Sequence, residues 1–254
     1  MTLQDFLNAH LDNLPNIGIG YSYPGQVEET ERSFLADYLC QIPTPVVIDV
    51  GANIGSYART VKQLSPSAQV FAFEPHPESF RTLNEVARIG GIQTFQYAIG
   101  DEEGDMELFD LADGSESTLA SLHKSVIEQL HHKPSRAFKV QVKRLDALIQ
   151  ELKIPHISLL KVDTEGHELS VFRSALESIR ANKIDAIQFE FNEMNVISRT
   201  FFKDFFDLLN NYLLIRLTPH GGMPIQVYSP SLHEVFSLQP IVGFRRDLVG
   251  AAQS

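Results

Sequence analysis

The sequence predicts an α/β protein with a mostly parallel sheet and helices on both of its faces. Three observations point there. Strand and helix signals alternate from residue 46 to about residue 217. The strand signals are short apolar runs, VVIDV, VFAFE and ISLLKVD, of the kind that suits strands buried on both faces. Glycine and charged residues gather just after these runs, where open α/β sheets bind ligands.

Each element follows from its local pattern. Val46–Val50 is the first strand, and Gly51 and Gly55 punctuate the turn into a helix with Tyr57, Val61 and Leu64 on one face, ended by Pro66. Val70–Glu74 is the second strand. Pro75 and Pro77 introduce a helix with Phe80 and Leu83 inward, and Gly90-Gly91 stops it. Ile92–Ile99 reads as one third strand, and the DEEG turn leads to an added strand, Met106–Leu111. Residues 112 to 137 are polar, with a short helix expected around Ser121–His131; the length suggests a lid over a site. FKVQVKRLDAL gives an edge strand and a helix start. Ile157–Asp163 is the next buried strand, and Leu169, Phe172, Leu176 and Ile179 mark the inner face of its helix. IDAIQFEF follows. Ser198 is placed to cap a helix whose Phe201, Phe202, Phe205, Phe206, Leu208 and Leu209 face the core. YLLIRLT and MPIQVY form a terminal hairpin about Pro219–Gly222. The expected organisation is a helical segment over residues 1–42 ahead of one domain, 43–254, carrying the lid-like insertion.

Composition narrows the function. With 254 residues, 43% hydrophobic and 21% charged, the chain suits a globular domain with a substantial core. The net charge of −11 disfavours a nucleic-acid partner, and the basic residues Lys139, Lys143, Arg144, Arg245 and Arg246 read as solvated surface. A single cysteine, Cys40, rules out an intrachain disulfide and a cysteine-based zinc site. No apolar run approaches the roughly 20 residues of a membrane span. The start, MTLQDFLNAHLDNL, lacks a signal-peptide pattern, so a cytoplasmic protein is expected.

The first site signal is DVGANIG, Asp49–Gly55. Its glycines permit a sharp turn and close backbone approach. A dinucleotide loop would read G-x-G-x-x-G, but Asn53 occupies the second glycine position, and Asp49 lies two places before the first. A carboxylate there suits a ligand with a cationic amino group and no phosphates, such as the amino-acid end of S-adenosylmethionine. Glu74 ends the second strand, 25 positions after Asp49, where Rossmann-like sheets place an acid on ribose hydroxyls; the alternative is a carboxylate facing a helix N-terminus. The third signal is KVDTEGHE, Lys161–Glu168, at another strand's carboxyl end. Asp163 projects into the crevice, Glu165 and His167 follow, Glu168 complements the helix dipole, and Lys161 pairs with Asp163.

The blocks VVIDVGANIGSY, VFAFEPHPESF, YAIGDEEGDMELF, LLKVDTEGHE and IQFEF, in this order, resemble the FkbM family of methyltransferases over about residues 30 to 230. The K-x-D-x-E-G-x-E block is the most specific part. The resemblance implies a class I methyltransferase fold of seven strands, the last hairpin placing one strand antiparallel, with S-adenosyl-L-methionine as cofactor. It also implies O-methylation of a hydroxyl on a sugar, glycan or secondary metabolite. Carried onto this chain, Asp49, Gly51, Asn53 and Gly55 surround the methionine part, with Ala52 and Ser56 in the same loop. Glu74 holds the ribose, with Pro75 beside it. Ala98–Asp101 and Ser117-Thr118 flank the adenine. His76 stands where many relatives have Asn, and the lid is of a variable kind, so the acceptor does not transfer.

For the reaction itself, the candidate bases are Asp163, His167 and Glu165, with Glu190 behind them. Asp163 is favoured for contact with the methyl-transfer region, and His167 is attractive because imidazole titrates near neutrality. Asp163, Glu190 and Asn192 are oxygen ligands for a possible Mg²⁺. His123, His131 and His132 have no metal-site spacing and read as surface residues. Competing readings are a nicotinamide-dependent oxidoreductase, opposed by the missing phosphate-cradling glycine, and a non-catalytic module, opposed by the intact acids Asp49, Glu74 and Asp163. RNA 2′-O-methylation is opposed by the charge. Oligomeric state is not readable.

Overall fold

The computed structural model describes residues 24–113, 119–218 and 221–250. An N-terminal helix α1 (Pro24–Leu39) precedes β1 (Val46–Val50), α2 (Ser56–Leu64), β2 (Gln69–Phe73), α3 (Pro77–Gly90) and β3 (Ile92–Phe95). The chain then leaves the main sheet for β4 (Ala98–Ile99), β5 (Gly104–Leu111), a π-helical turn (Val126–Leu130) and β6 (Ser135–Lys143). It returns through α4 (Leu145–Glu151), β7 (Ile157–Val162), α5 (Glu168–Ser174), α6 (Leu176–Arg180) and β8 (Ile184–Phe191). The last stretch holds α7 (Met194–Ser198), α8 (Phe202–Leu208), β9 (Tyr212–Thr218), β10 (Gly221–Ile225), α9 (Pro230–His233), β11 (Gln239–Arg245) and α10 (Arg246–Gly250).

The large sheet has the order β10-β9-β11-β8-β7-β1-β2-β3. From β8 to β3 all neighbours run parallel, and the order reverses between β1 and β7. Such a switch point opens a crevice at the strands' carboxyl ends. Two apolar layers cover the sheet. Leu35, Ala58, Val61 and Leu83 belong to the core on one face, and Leu148, Phe172, Ile179 and Phe205 to that on the other. Among the described residues no helix is long and apolar enough to cross a membrane.

Three features differ from the expected elements. Two strands run against the sheet: β10, antiparallel to β9 in the expected terminal hairpin, and β11, which is inserted between β8 and β9 and antiparallel to both. Pro240 and Gly243 mask β11 in the sequence, because both residues weaken a strand signal. Gly243 is required there: a Cβ would lie 2.8 Å from Ile187 and 2.9 Å from Leu214. Ile92–Ile99 is two strands, since Ala98 and Ile99 pair with Val142 and Lys143 of β6 and leave β3 behind. Finally, Ser198 does not cap the aromatic helix. Phe201 N donates to Asp204 Oδ2 at 2.9 Å, and Phe201 itself is 54% exposed while Phe202 and Phe205 are buried.

The inserted strands form a separate sheet, β4-β6-β5, whose β5 and β6 pair from Gly104↔Val142 to Leu111↔Ser135. Within the polar segment 112–137, residues 135–137 begin β6, and residues 114–118 lie outside the described part. Val126 and Ile127 pack with Met194 in a small core of their own. His76 joins this sheet to the main one: its Nε2 lies 3.4 Å from Asp110 of β5, and its Nδ1 accepts from Ser79 N at the start of α3.

Candidate functional site

A cavity of about 680 Å³ lies over the carboxyl ends of β1, β2, β7 and β8. Helix α1 closes one side and residues from β4 to Leu122 close the other. Its volume falls in the range of small-molecule and cofactor sites, roughly 300–1,000 Å³.

At β1, Asp49 is buried and its Oδ2 has no hydrogen-bond partner among the described residues. Burial, with Asp163 and Glu74 adding to it against Lys161, pushes its carboxyl up to about 7. The loop that follows is held from two sides. Gly51 N and Ala52 N both donate to Phe73 O at 3.0 Å, and Asn53 N donates to Glu74 Oε2 at 2.8 Å. Gly51 has φ +81°, and a Cβ there would overlap the Asp163 carbonyl oxygen, so its close approach is to β7's end as much as to any ligand. Gly55, also at positive φ, packs against Leu83 of α3 and is not on the cavity wall.

Glu74 is buried, and its other oxygen accepts from His76 N at 2.7 Å. Burial outweighs these two amide hydrogen bonds and raises it to about 7. Ala52, Asn53, Ser56, Pro75 and Ala98 share the wall with Asp49 and Glu74. Asp101 does not: Ser170 Oγ donates to its carboxylate, which is thereby turned onto α5. Ser117 lies outside the described residues.

At β7, Lys161 is buried between Asp163 Oδ2, 3.3 Å away, and Glu31 Oε1, 3.5 Å away. Burial alone would lower its pKa; the two acids hold it above the ordinary lysine value. Glu168 laces the following loop, accepting from Thr164 N and Gly166 N at 3.0 Å each. Glu165 adopts φ 52° in that loop, and its Oε2 is buried without a partner among the described residues. Burial, then Asp163 and Glu190, push it well above the carboxylate range. His167 lines the cavity, but burial and His123 push it down to about 4, so at neutral pH it is uncharged and weakly basic. His123 is half-buried with its ring 5.8 Å from that of His167, not a plain surface residue.

At β8, Glu190 lines the cavity and is raised by burial, and next by Asp163, to about 8. Asn192 is not on the wall; its Oδ1 accepts from Met194 N at 3.0 Å. Asp163 and Glu190 thus share the cavity wall while Asn192 is turned to Met194 N, and no group of three His, Cys, Asp or Glu side chains placed to hold a metal ion occurs among the described residues.

The sequence missed the wall built by α1. Tyr57 OH donates to Gln188 Oε1 at 2.6 Å, Gln188 Nε2 donates to Glu31 Oε1 at 2.5 Å, and Glu31 meets Lys161. The available signal was weak: Glu28, Glu31 and Leu35 share one helical face.

The sequence profile of the Methyltransferase FkbM domain matches residues 49–215. The chain is 26% identical over 192 residues to the 2-O-methyltransferase NoeI of Sinorhizobium fredii, covering 72% of this chain and 78% of that protein. It is 31% identical over 141 residues to the hexuronic acid methyltransferase AglP of Haloferax volcanii, covering 53% and 52%. It is 30% identical over 168 residues to the 31-O-demethyl-FK506 methyltransferase FkbM of Streptomyces tacrolimicus, covering 56% and 64%. The chain thus spans between half and two-thirds of the last two relatives. With the strand order, the carboxylates at the strand tips and the family profile in agreement, the chain belongs to the FkbM family of methyltransferases.

Proposed function

We propose that this methyltransferase transfers a methyl group from S-adenosylmethionine to a hydroxyl of a sugar or secondary metabolite. The observation that carries this is the unpartnered, buried Asp49 Oδ2, which shares the cavity wall with Glu74 and Asp163. The fit to the cofactor is chemical. A buried carboxylate oxygen without a donor is costly, and the ammonium of a methionine moiety supplies both donor and charge. Glu74 keeps acceptor capacity for ribose hydroxyls beyond its two amide bonds. Tyr97, Ile99, Leu108 and Leu122 offer an apolar wall for adenine.

When bound, the cofactor supplies an electrophilic methyl group on a positively charged sulfur. The protein's share is to align the acceptor, exclude water and receive a proton. Asp163 is the proton acceptor in this scheme, oriented by Lys161 at 3.3 Å. Glu165 and Glu190 face the acceptor, while His167 shapes the wall beside Gly100. Hydroxyl acceptors are favoured because two relatives carry 2-O and 31-O positions in their names. The engagement of Asn192 with Met194 N, off the wall that carries Asp163 and Glu190, favours transfer without a metal ion held by these three, so activity is expected to survive EDTA; loss to EDTA restored by Mg²⁺ would reverse that point.

Calorimetry with S-adenosylhomocysteine and with NAD tests the assignment directly. Binding of the first and none of the second is expected. Binding of NAD alone would transfer the site to a nicotinamide enzyme.

A further inference from the structure

The carboxyl ends of β7 and β8 leave more acid than base in the cavity. Glu31, Asp163, Glu165 and Glu190 line it, and Lys161 is the buried cation among them. That ammonium is already shared between Asp163 and Glu31. Arg32 and Arg59 border the cavity too, but both are exposed, where solvent and salt screen them. Glu28, also exposed, offsets one of them. Glu165 and Glu190 feel Lys161 at a distance, but among the described residues neither makes an ion pair, and burial and the neighbouring acids outweigh that ammonium at both.

Glu165 makes the deficit specific. Its Oε2 is buried with no hydrogen-bond partner among the described residues, although its own backbone is fixed: Ser121 Oγ donates to Glu165 O at 2.7 Å. A left-handed backbone at a non-glycine residue is uncommon and persists only where surroundings over-determine it. The loop therefore holds an unsatisfied carboxyl on a cavity wall when an ordinary turn would release it to solvent. An unpartnered carboxyl oxygen and a shortage of buried basic groups thus coincide at one place.

We propose that the methyl acceptor carries a protonated amine close to its reactive hydroxyl, as in an amino sugar or another amino alcohol, and that Glu165 and Glu190 bind that ammonium. The inference rests on placing the acceptor on the β7–β8 side of the cavity. A neutral polyol leaves the two acids protonated and gains no ion pair, and a carboxylate-bearing acceptor would be repelled by either acid once ionised. Since burial raises Glu190 to about 8, the unliganded pair holds protons near neutrality, and an arriving ammonium displaces them. Proton release is therefore the signature of the ion pair.

The test uses the full chain saturated with S-adenosylhomocysteine and titrated calorimetrically with glucosamine, glucose and glucuronic acid in turn. Glucosamine is expected to bind at least about tenfold more tightly than glucose, and glucuronic acid more weakly than either. Repeating the glucosamine titration in buffers of different ionisation enthalpy should show net proton release. Glu165→Gln and Glu190→Gln keep the side-chain shape; each should erase the preference for glucosamine while the affinity for S-adenosylhomocysteine stays within about twofold. Equal binding of glucosamine and glucose, a preference for the uronate, no measurable binding of glucosamine, or binding without proton release overturns the proposal. Failure of S-adenosylhomocysteine itself to bind would overturn the cofactor assignment along with it, and the cofactor titration separates the two failures.

Discussion

The tips of β1 and β2 and the tips of β7 and β8 all end in acids, and each side leaves one carboxyl oxygen unpartnered, Asp49 Oδ2 and Glu165 Oε2, yet the remaining acids are held differently. Glu74 is fixed by two backbone N–H groups, and the loop it grips is stitched to Phe73 by two more hydrogen bonds. On the other side Asp163 pairs with Lys161 at 3.3 Å, while among the described residues Glu165 and Glu190 line the cavity without an ion pair of their own. The difference teaches how one sheet edge serves two tasks. On the proposed assignment, the cofactor side is preorganised at Glu74 and its loop through backbone contacts. On the same assignment, the acceptor side is left with a carboxyl oxygen for the incoming ligand to satisfy.

This contrast can be broken, beginning with the largest effect. Asp163→Asn should lower kcat/KM about a hundredfold or more, the scale of a lost general base, while affinity for S-adenosylhomocysteine changes by less than about threefold. A parallel collapse of cofactor affinity would show that Asp163 serves the β1–β2 side instead. Gly51→Ala should cost about 3 kcal/mol of stability in denaturant unfolding, because its Cβ would strike the Asp163 carbonyl and its φ is +81°. A loss of a few tenths would mean that the two loops separate readily.

Glu74→Ala should weaken cofactor binding by about ten- to a hundredfold, measured by calorimetry, with little change in kcat at saturating cofactor. A loss under about twofold would remove Glu74 from the site. The last test concerns pH. Asp49 and Glu74 rise from ordinary values of 3.8 and 4.5 to about 7 through burial. The folded chain then keeps protons that the unfolded chain releases, so stability without ligand should fall as pH rises from about 4 to about 7. Scanning calorimetry should show this slope in Tm, reduced in Asp49→Asn. A Tm rising over that interval would mean that neither carboxyl is held protonated.

Much of this site was legible because it is local. DVGANIG, FEP and KVDTEGHE each follow a buried strand, and a parallel sheet necessarily brings their carboxyl ends together, so Asp49, Glu74 and Asp163 reach one cavity. What escaped is set by distant packing. Glu31 reaches Lys161 only because α1 folds over the switch point, and Asp101 is lost to Ser170 of α5. Residue type alone suggested a neutral-range base at His167; burial, which no spacing reveals, pushes it to about 4. In β11, Pro240 and Gly243 hide a strand whose neighbours leave no room for a side chain.

Helix α1 precedes the stretch shared with the family, residues 49–215, yet it contributes Glu31 to the inner wall. The roof of the cavity thus lies outside the family-matched stretch that carries its floor. A relative with another prelude could keep the whole transfer apparatus and welcome a different guest, so exchanging α1 is the shortest engineering route to a new acceptor.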